Sequence, residues 1–139
     1  MTIKTIKLIV FLALLVHGIG HLQGVVAGLG VKFFKSSSTD SWLLKGLGEG
    51  ANRFICLILH LLTAVTGVLT ALCFKDIFLQ EGSWEMLALV TALCSTACLV
   101  LFPRALAMFF NKAGAVAVNL WIYYSILLNG NWPAEIFGE

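Results

Sequence analysis

Two histidines stand one helical turn apart in the stretch Val16-His17-Gly18-Ile19-Gly20-His21-Leu22-Gln23-Gly24, in the middle of an apolar run from Leu8 to Val31. A run of this length can cross a bilayer, whose hydrocarbon core needs roughly 20 apolar residues of helix. Ionisable side chains are disfavoured inside a membrane unless they have partners there. We therefore interpret His17 and His21 as candidate functional residues on a membrane-spanning helix.

The whole chain is more apolar than a soluble domain. Of its 139 residues, 60% are hydrophobic and 12% are charged, and the mean hydropathy is +0.97, whereas about a quarter of the residues in soluble domains are charged. The formal net charge is +2, and no basic cluster resembles a nucleic-acid footprint. The composition predicts an integral membrane protein and argues against nucleic acid as a partner.

Four apolar runs predict four membrane-spanning helices and no strand. The spans are expected over residues 6–29, 53–74, 84–102 and 113–128. A short connection at 75–83 joins the second and third spans, and a polar exit at 129–133 follows the fourth. We predict an all-α fold with one domain, a four-helix transmembrane bundle over residues 1–139 that runs up, down, up and down.

Residues 31–52 form the longest predicted connection, which is rich in lysine, serine and glycine. Trp42 in this loop is expected at the headgroup level, where indole rings tend to lie. Basic residues are more numerous on the side of this loop than on the opposite side, so the positive-inside rule predicts a cytoplasmic loop with both termini outside. Lys4 and Lys7, just before the first span, favour the reverse orientation.

Small residues accompany the histidines on both of the first two spans. Gly20, Gly24 and Gly28 follow one another at a spacing of four, and on the second span His60 shares a face with Ala64, Gly67 and Ala71. Small residues let helix backbones approach closely in lipid. We therefore expect the histidines to face the bundle interior. We also expect the remaining small-residue surface to favour a homo-oligomer or a larger membrane complex.

Polar side chains on all four spans are predicted to lie at matched depths, counted at about 1.5 Å per residue from the helix ends. The first level holds His21, His60, Cys98 and Asn119, and a level one turn deeper holds His17, Cys94 with Ser95, and Tyr123. An internal polar site in a bundle requires such matching. We predict a site for a cofactor or lipophilic ligand whose contacts are His17, His21, His60, Asn119 and Tyr123.

Three kinds of ligand fit these residue types. A Zn or Cu ion would take the i,i+4 pair His17 and His21, with His60 and Cys98 as further ligands. A b-type haem would take His60 together with His21 or His17 as axial ligands. A quinone or another lipophilic molecule would hydrogen-bond to the histidines and Tyr123 within an apolar pocket.

A structural role for the same groups is the alternative. Interhelical hydrogen bonds of this sort contribute roughly 0.6 kcal/mol each, and the protein would then be an accessory or scaffolding subunit of a larger membrane complex.

Cys94 and Cys98 are not expected to form a redox pair, because i,i+4 cysteines on a regular helix are poorly placed for a disulfide. Ser95 has no evident general base except a histidine from another helix, so a hydrolase is a weak hypothesis.

Three features together resemble small bacterial membrane proteins of the DoxX-like type. They are the motif His17-Gly18-Ile19-Gly20-His21-Leu22, the layout of four short helices, and the segment Asn111-Lys112-Ala113-Gly114-Ala115 with Asn119 after it. The resemblance implies a multi-pass protein of the bacterial inner membrane. Some DoxX-like proteins are linked to quinone-coupled sulfur oxidation, so the resemblance also implies a redox-linked role, although no residue here identifies a thiosulfate site.

Overall fold

The computed structural model of this protein describes residues 2–32, 34–75, 77 and 83–128. These residues are mostly helical and include no strand, so the all-α prediction is confirmed. The helices are α1 Ile3–Gly20, α2 Leu22–Gly28, α3 Gly48–Phe74, α4 Ser83–Leu101 and α5 Phe109–Tyr123. α1 and α2 form one kinked helix, which makes four helices in the described part of the chain.

The helices extend beyond the apolar runs that predicted them. α1 begins at Ile3, where the Thr2 hydroxyl accepts a hydrogen bond from the Thr5 N–H. α3 begins at Gly48, so the expectation that the loop continues to residue 52 is wrong. Hydropathy marks the apolar length of a helix, whereas its backbone hydrogen bonds can continue into polar sequence. The predicted exit at 129–133 and most of the predicted connection at 75–83 lie outside the described residues.

Three helices are long and apolar enough to cross a membrane, namely Ile3–Gly28, Lys45–Phe74 and Ser83–Leu101. α5 has 15 residues and continues as a π-helical turn over Tyr124–Leu128. The three long helices agree with a membrane protein. A fourth membrane span at 113–128 stays a prediction.

The helices pack around α3. α3 contacts α1 and α2 on one side and α4 on the other, while α5 contacts α4 and returns to α1. The contacts therefore close into a ring, with the first and last helices adjacent. A ring of this kind has an interior to which every helix can contribute side chains.

One buried stripe runs the length of the kinked helix α1–α2. Its positions alternate in steps of four and three, and they are Val10, Leu14, His17, His21, Gly24 and Gly28. Residues at these steps share one face of a helix. His17, His21 and His60 are 6%, 1% and 0% exposed, so the prediction that the histidines face the interior is confirmed.

The glycines that bring the helices together are only partly those expected. A Cβ atom on Gly18 would lie 2.8 Å from the Val68 backbone nitrogen, so this glycine contacts α3 directly. The expectation that Gly20 belongs to the packing face is wrong, because a Cβ there would meet no heavy atom within 4 Å. Each residue turns about 100° around a helix, so Gly18 and Gly20 lie on opposite flanks of the buried stripe.

Two apolar clusters bracket the histidines. The first consists of Val10, Leu14, Ala71, Ala88, Ala92 and Ile122. The second consists of Ala27, Cys56, Phe102 and Ala105. Along α1–α2, His17 and His21 lie between the members of these clusters. The polar groups are thus enclosed by apolar packing on both sides, where an unpaired polar atom is costly.

Candidate functional site

A continuous chain of hydrogen bonds joins three of the helices to the buried His21. His21 lies at the kink between α1 and α2, where its N–H donates to the Gly18 carbonyl at 3.2 Å. Its ring Nδ1 lies 3.0 Å from His60 Nδ1 on α3, and its ring Nε2 lies 3.0 Å from Ser95 Oγ on α4. His21 therefore connects α3 with α4 through the two nitrogens of one imidazole.

The chain continues from Ser95 to α5. Asn119 Nδ2 donates to Ser95 Oγ at 3.0 Å and to Thr96 Oγ1 at 3.2 Å. Thr96 Oγ1 lies 3.0 Å from the Tyr123 hydroxyl. We call the set His60, His21, Ser95, Asn119, Thr96 and Tyr123 the polar chain. It links side chains from every helix of the ring.

One arrangement of protons satisfies most of the polar chain. The Ser95 hydroxyl donates to His21 Nε2 while it accepts from Asn119, and His21 Nδ1–H donates to His60 Nδ1. From Asn119 through Ser95 and His21 to His60, the donors then all point the same way, which strengthens the individual bonds. His60 Nε2 then carries the proton at the end of the chain, and this buried atom has no hydrogen-bond partner among the described residues.

His60 is positioned by the glycine that faces it. A side chain at position 24 would overlap the imidazole ring of His60, so the ring packs directly on the Gly24 backbone. The Cys56 thiol, one turn before His60 on α3, donates to the Gly24 carbonyl at 3.7 Å. Close approach of α2 and α3 at this glycine is what brings His60 within hydrogen-bond distance of His21.

Cys98 joins the two central histidines in a group with metal-ligand chemistry. One ligand atom each of His21, His60 and Cys98 lies within 4.8 Å of the others, and all three residues are buried. The Cys98 sulfur also lies 3.6 Å from Thr63 Oγ1. Imidazole nitrogen and thiolate sulfur are the donors preferred by Zn and Cu(I). Ser95 would orient the His21 ring and Thr63 the Cys98 thiol through hydrogen bonds, as residues around a metal site commonly do for its ligands.

His17 stands apart from the polar chain. Its ring centroid is 5.2 Å from that of His21 in an edge-on arrangement, and neither of its ring nitrogens has a hydrogen-bond partner in the part of the chain that the structure describes. The side chain is nevertheless buried. A buried polar group without a partner costs about 1–3 kcal/mol, so each such group needs an explanation. His17 is the histidine most in need of a further partner.

A groove of about 350 Å³ between α1 and α5 has His17 in its wall. The other lining side chains are mainly apolar and include Leu12, Val16, Leu106, Phe110, Ala115 and Val118. His21 and Asn111 also line the groove, as do Gly20 and Gly114, which have no side chain. We call this space the His17 groove. Its volume lies within the range of about 300–1,000 Å³ usual for small-molecule sites.

The buried threonines have local partners, in contrast to His17. The hydroxyls of Thr63, Thr66, Thr70 and Thr91 each donate to the backbone carbonyl four residues earlier, at 2.7–2.8 Å. Hydroxyl groups inside helices are commonly satisfied in this way. These residues therefore need no ligand. Within the described ranges, the buried side-chain atoms without a hydrogen-bond partner are both ring nitrogens of His17, His60 Nε2 and the side-chain oxygens of Gln23, Asn52 and Asn119.

The predicted site residues fall into two sets. His21, His60, Asn119 and Tyr123 belong to the polar chain, whereas His17 lines the groove. Ser95 was expected one level deeper than His21, and the two side chains nevertheless contact each other. Three residues rise only about 4.5 Å along a helix, a distance that side chains can cover. Thr96 was missed, although a hydroxyl next to Ser95 on the same span was a signal for it.

The contact between His21 and His60 bears on the haem hypothesis. Their Nδ1 atoms are 3.0 Å apart and their ring centroids 5.1 Å apart. A porphyrin held between axial ligands must pass between the two imidazoles, and this spacing leaves no room for the macrocycle. The pair His21 and His60 therefore does not fit a haem in the arrangement described here.

Comparison with known proteins finds no relative. No protein-family model, curated protein or solved structure matches the chain. The resemblance to DoxX-like proteins thus stays a prediction based on the residues quoted for it.

Proposed function

We propose that this protein is an integral membrane protein that binds a lipophilic ligand with a hydrogen-bonding head, of the quinone class, in the His17 groove. The observation that carries this proposal is the burial of His17 in the wall of a mainly apolar groove, with no hydrogen-bond partner for either ring nitrogen among the residues that the structure describes. A ligand oxygen beside His17 would remove the cost of its burial. The apolar side chains would contact the ring and tail of the ligand.

The position of the groove supports entry of the lipophilic ligand from the lipid phase of the membrane. It lies between α1 and α5, and Phe110 at its edge is 81% exposed in the isolated chain. In a bilayer such a side chain would face lipid. A lipophilic molecule could then reach His17 laterally. The polar chain behind the groove would offer hydrogen-bonding groups close to the head of a quinone, which is how a redox-linked role would arise.

Three matched variants test ligand binding. Gly114 lines the groove and has space for a side chain, so Gly114→Leu should fill the groove without disturbing the helix. Ala117 lies on the exposed surface of the same helix outside the groove, so Ala117→Leu is the control. His17→Leu removes the polar contact but keeps the apolar wall.

The measurement is the binding of decylubiquinone and of a short-chain menaquinone analogue to protein purified in mild detergent. We expect His17→Leu to weaken binding roughly five- to tenfold, as for the loss of one hydrogen bond. Gly114→Leu should abolish binding, and Ala117→Leu should leave it unchanged. Equal binding by all four proteins, or no binding by the unmodified protein, would refute the proposal.

A metal centre at His21, His60 and Cys98 is the second candidate function. It is favoured by three buried ligand atoms from three helices within 4.8 Å of one another. Elemental analysis after incubation with Zn or Cu(I) tests it. Cys98→Ser should lower the bound metal severalfold while His17→Leu should not. Loss of bound metal in His17→Leu but not in Cys98→Ser would rule out this ligand set.

Orientation and assembly complete the proposal. The helices run up, down, up and down across the bacterial inner membrane, with residues 31–52 in the cytoplasm and residues 113–128 as the fourth span. Reporter fusions in the loop and at both termini test this orientation.

The protein also joins a homo-oligomer or a larger membrane complex, for which native mass spectrometry is the test. If variants of the histidines change assembly but not ligand binding, the accessory-subunit function replaces the ligand-binding one.

A further inference from the structure

A basic pocket lies where α2 ends, apart from the His17 groove and the polar chain. It has a volume of about 730 Å³ and is formed by the residues after α2, the following loop and the first turns of α3 and α5. Five cationic side chains line it, Lys32, Lys35, Arg53, Arg104 and Lys112. Two carboxylates, those of Asp40 and Glu49, also line it, which leaves an excess of three positive charges.

The cations of this basic pocket lack side-chain partners in the described part of the chain. Within residues 2–32, 34–75, 77 and 83–128, none of the five forms an ion pair within 4.0 Å or a side-chain hydrogen bond. Because Asp40 and Glu49 offset only two of the five positive charges, the remaining excess of positive charge is repulsive, and a bound anion would relieve the repulsion. The pocket therefore has the electrostatics of an anion site.

The backbone is shaped to admit one of the arginines. Gly30 has a φ of +84°, and a side chain at this position would overlap the guanidinium group of Arg53. The absence of a side chain lets the planar guanidinium lie against the turn that follows α2. A guanidinium can donate two parallel hydrogen bonds to one phosphate group, which a lysine cannot do.

The position of the pocket favours a lipid over a soluble anion. It adjoins the end of Ile3–Gly28, one of the helices apolar enough to cross a membrane. Ala27, Val31 and Ala107 add an apolar wall beside the cations. Basic pockets between membrane helices are typical binding sites for anionic headgroups. We propose that this pocket binds the phosphate of an anionic phospholipid headgroup, with Arg53 and Arg104 as its main contacts.

The experiment compares lipid retention by three proteins in mild detergent. Native mass spectrometry measures the binding of phosphatidylglycerol, with phosphatidylcholine as the zwitterionic reference and inorganic phosphate as the soluble competitor. The test variant is Arg53→Gln with Arg104→Gln. The control is Lys4→Gln with Lys45→Gln, which removes the same charge from two exposed residues outside the pocket lining.

We expect the unmodified protein and the control to prefer phosphatidylglycerol over phosphatidylcholine. The arginine variant should lose roughly twenty- to thirtyfold in affinity for phosphatidylglycerol, the effect of two cations at a lipid surface. Equal losses in the control and the arginine variant would overturn the proposal. So would binding of inorganic phosphate without a preference between the lipids, because the ligand would then be a soluble phosphate. Lys32→Gln with Lys35→Gln provides a second variant should the arginine variant fail to fold.

Discussion

The imidazole ring of His60 occupies the space that a side chain of residue 24 would fill, so the ring packs directly against the backbone of Gly24. This contact fixes the position of the ring from one side. On the other side, His60 Nδ1 lies 3.0 Å from His21 Nδ1. A change at Gly24 should therefore affect both helix packing and the polar chain.

Gly24→Ala should lower the free energy of unfolding by about 1–3 kcal/mol, the usual cost of overpacking a buried contact. Gly20→Ala is the matched control four residues earlier, where a Cβ would meet no heavy atom within 4 Å. Replacing this helical glycine should be neutral or should stabilise the protein by about 0.5–1 kcal/mol. Thermal unfolding in detergent measures both effects. Equal destabilisation by the two variants would contradict the described packing.

The hydrogen bond between His21 and Ser95 should be detectable as a coupling energy. Their atoms His21 Nε2 and Ser95 Oγ are 3.0 Å apart between α1–α2 and α4. A double-mutant cycle with His21→Phe and Ser95→Ala should give about 0.6 kcal/mol and no more than about 1.7 kcal/mol, the range for such bonds in membrane proteins. Unfolding in mixed micelles provides the energies. Strictly additive effects would show that the two side chains do not interact.

The cysteines should differ in their reactivity in the folded protein. Cys56 and Cys98 are 0% exposed, whereas Cys94 is partly exposed. A membrane-permeant maleimide should therefore modify Cys94 well before Cys56 or Cys98, because a fully buried thiol is accessible only after local opening. Mass spectrometry of peptides over a time course gives the order. Modification of Cys98 at the same rate as Cys94 would place Cys98 outside the interior.

Trp42 should hold the long loop against the end of α4. Its indole Nε1–H donates to the Val100 carbonyl at 2.8 Å, although 61% of the side chain is exposed. The last carbonyls of a helix lack intrahelical partners, so this bond satisfies one of them. Trp42→Phe should cost about 0.5–1.5 kcal/mol and increase proteolysis of the loop. Leu43→Ala, which changes a neighbouring exposed residue, should leave proteolysis unchanged if the indole bond is responsible.

Much of the fold was predictable because hydropathy and helical period are local properties. The apolar runs located the helices, and the steps of three and four between His17, His21 and Gly24 placed them on one buried face. The starts of α1 and α3 were not predicted, because helices continue into polar sequence where backbone hydrogen bonds and caps allow it. Polarity alone does not mark the end of a helix.

The candidate site was predictable only as a set of residue types. Sequence by itself determined that three histidines are buried inside an all-α protein whose helices are apolar enough to cross a membrane, because an apolar span that carries an imidazole is expected to turn it toward protein and away from lipid. Only the tertiary structure decided which atoms meet, including the pairing of His21 with Ser95 and the separation of His17 into a groove. The physical reason is that contacts between helices depend on rotations of a few tens of degrees and shifts of a few ångströms. The kink at His21 and the close approach at Gly18 and Gly24 set these rotations and shifts. They cannot be derived from the spacing of residues along one helix.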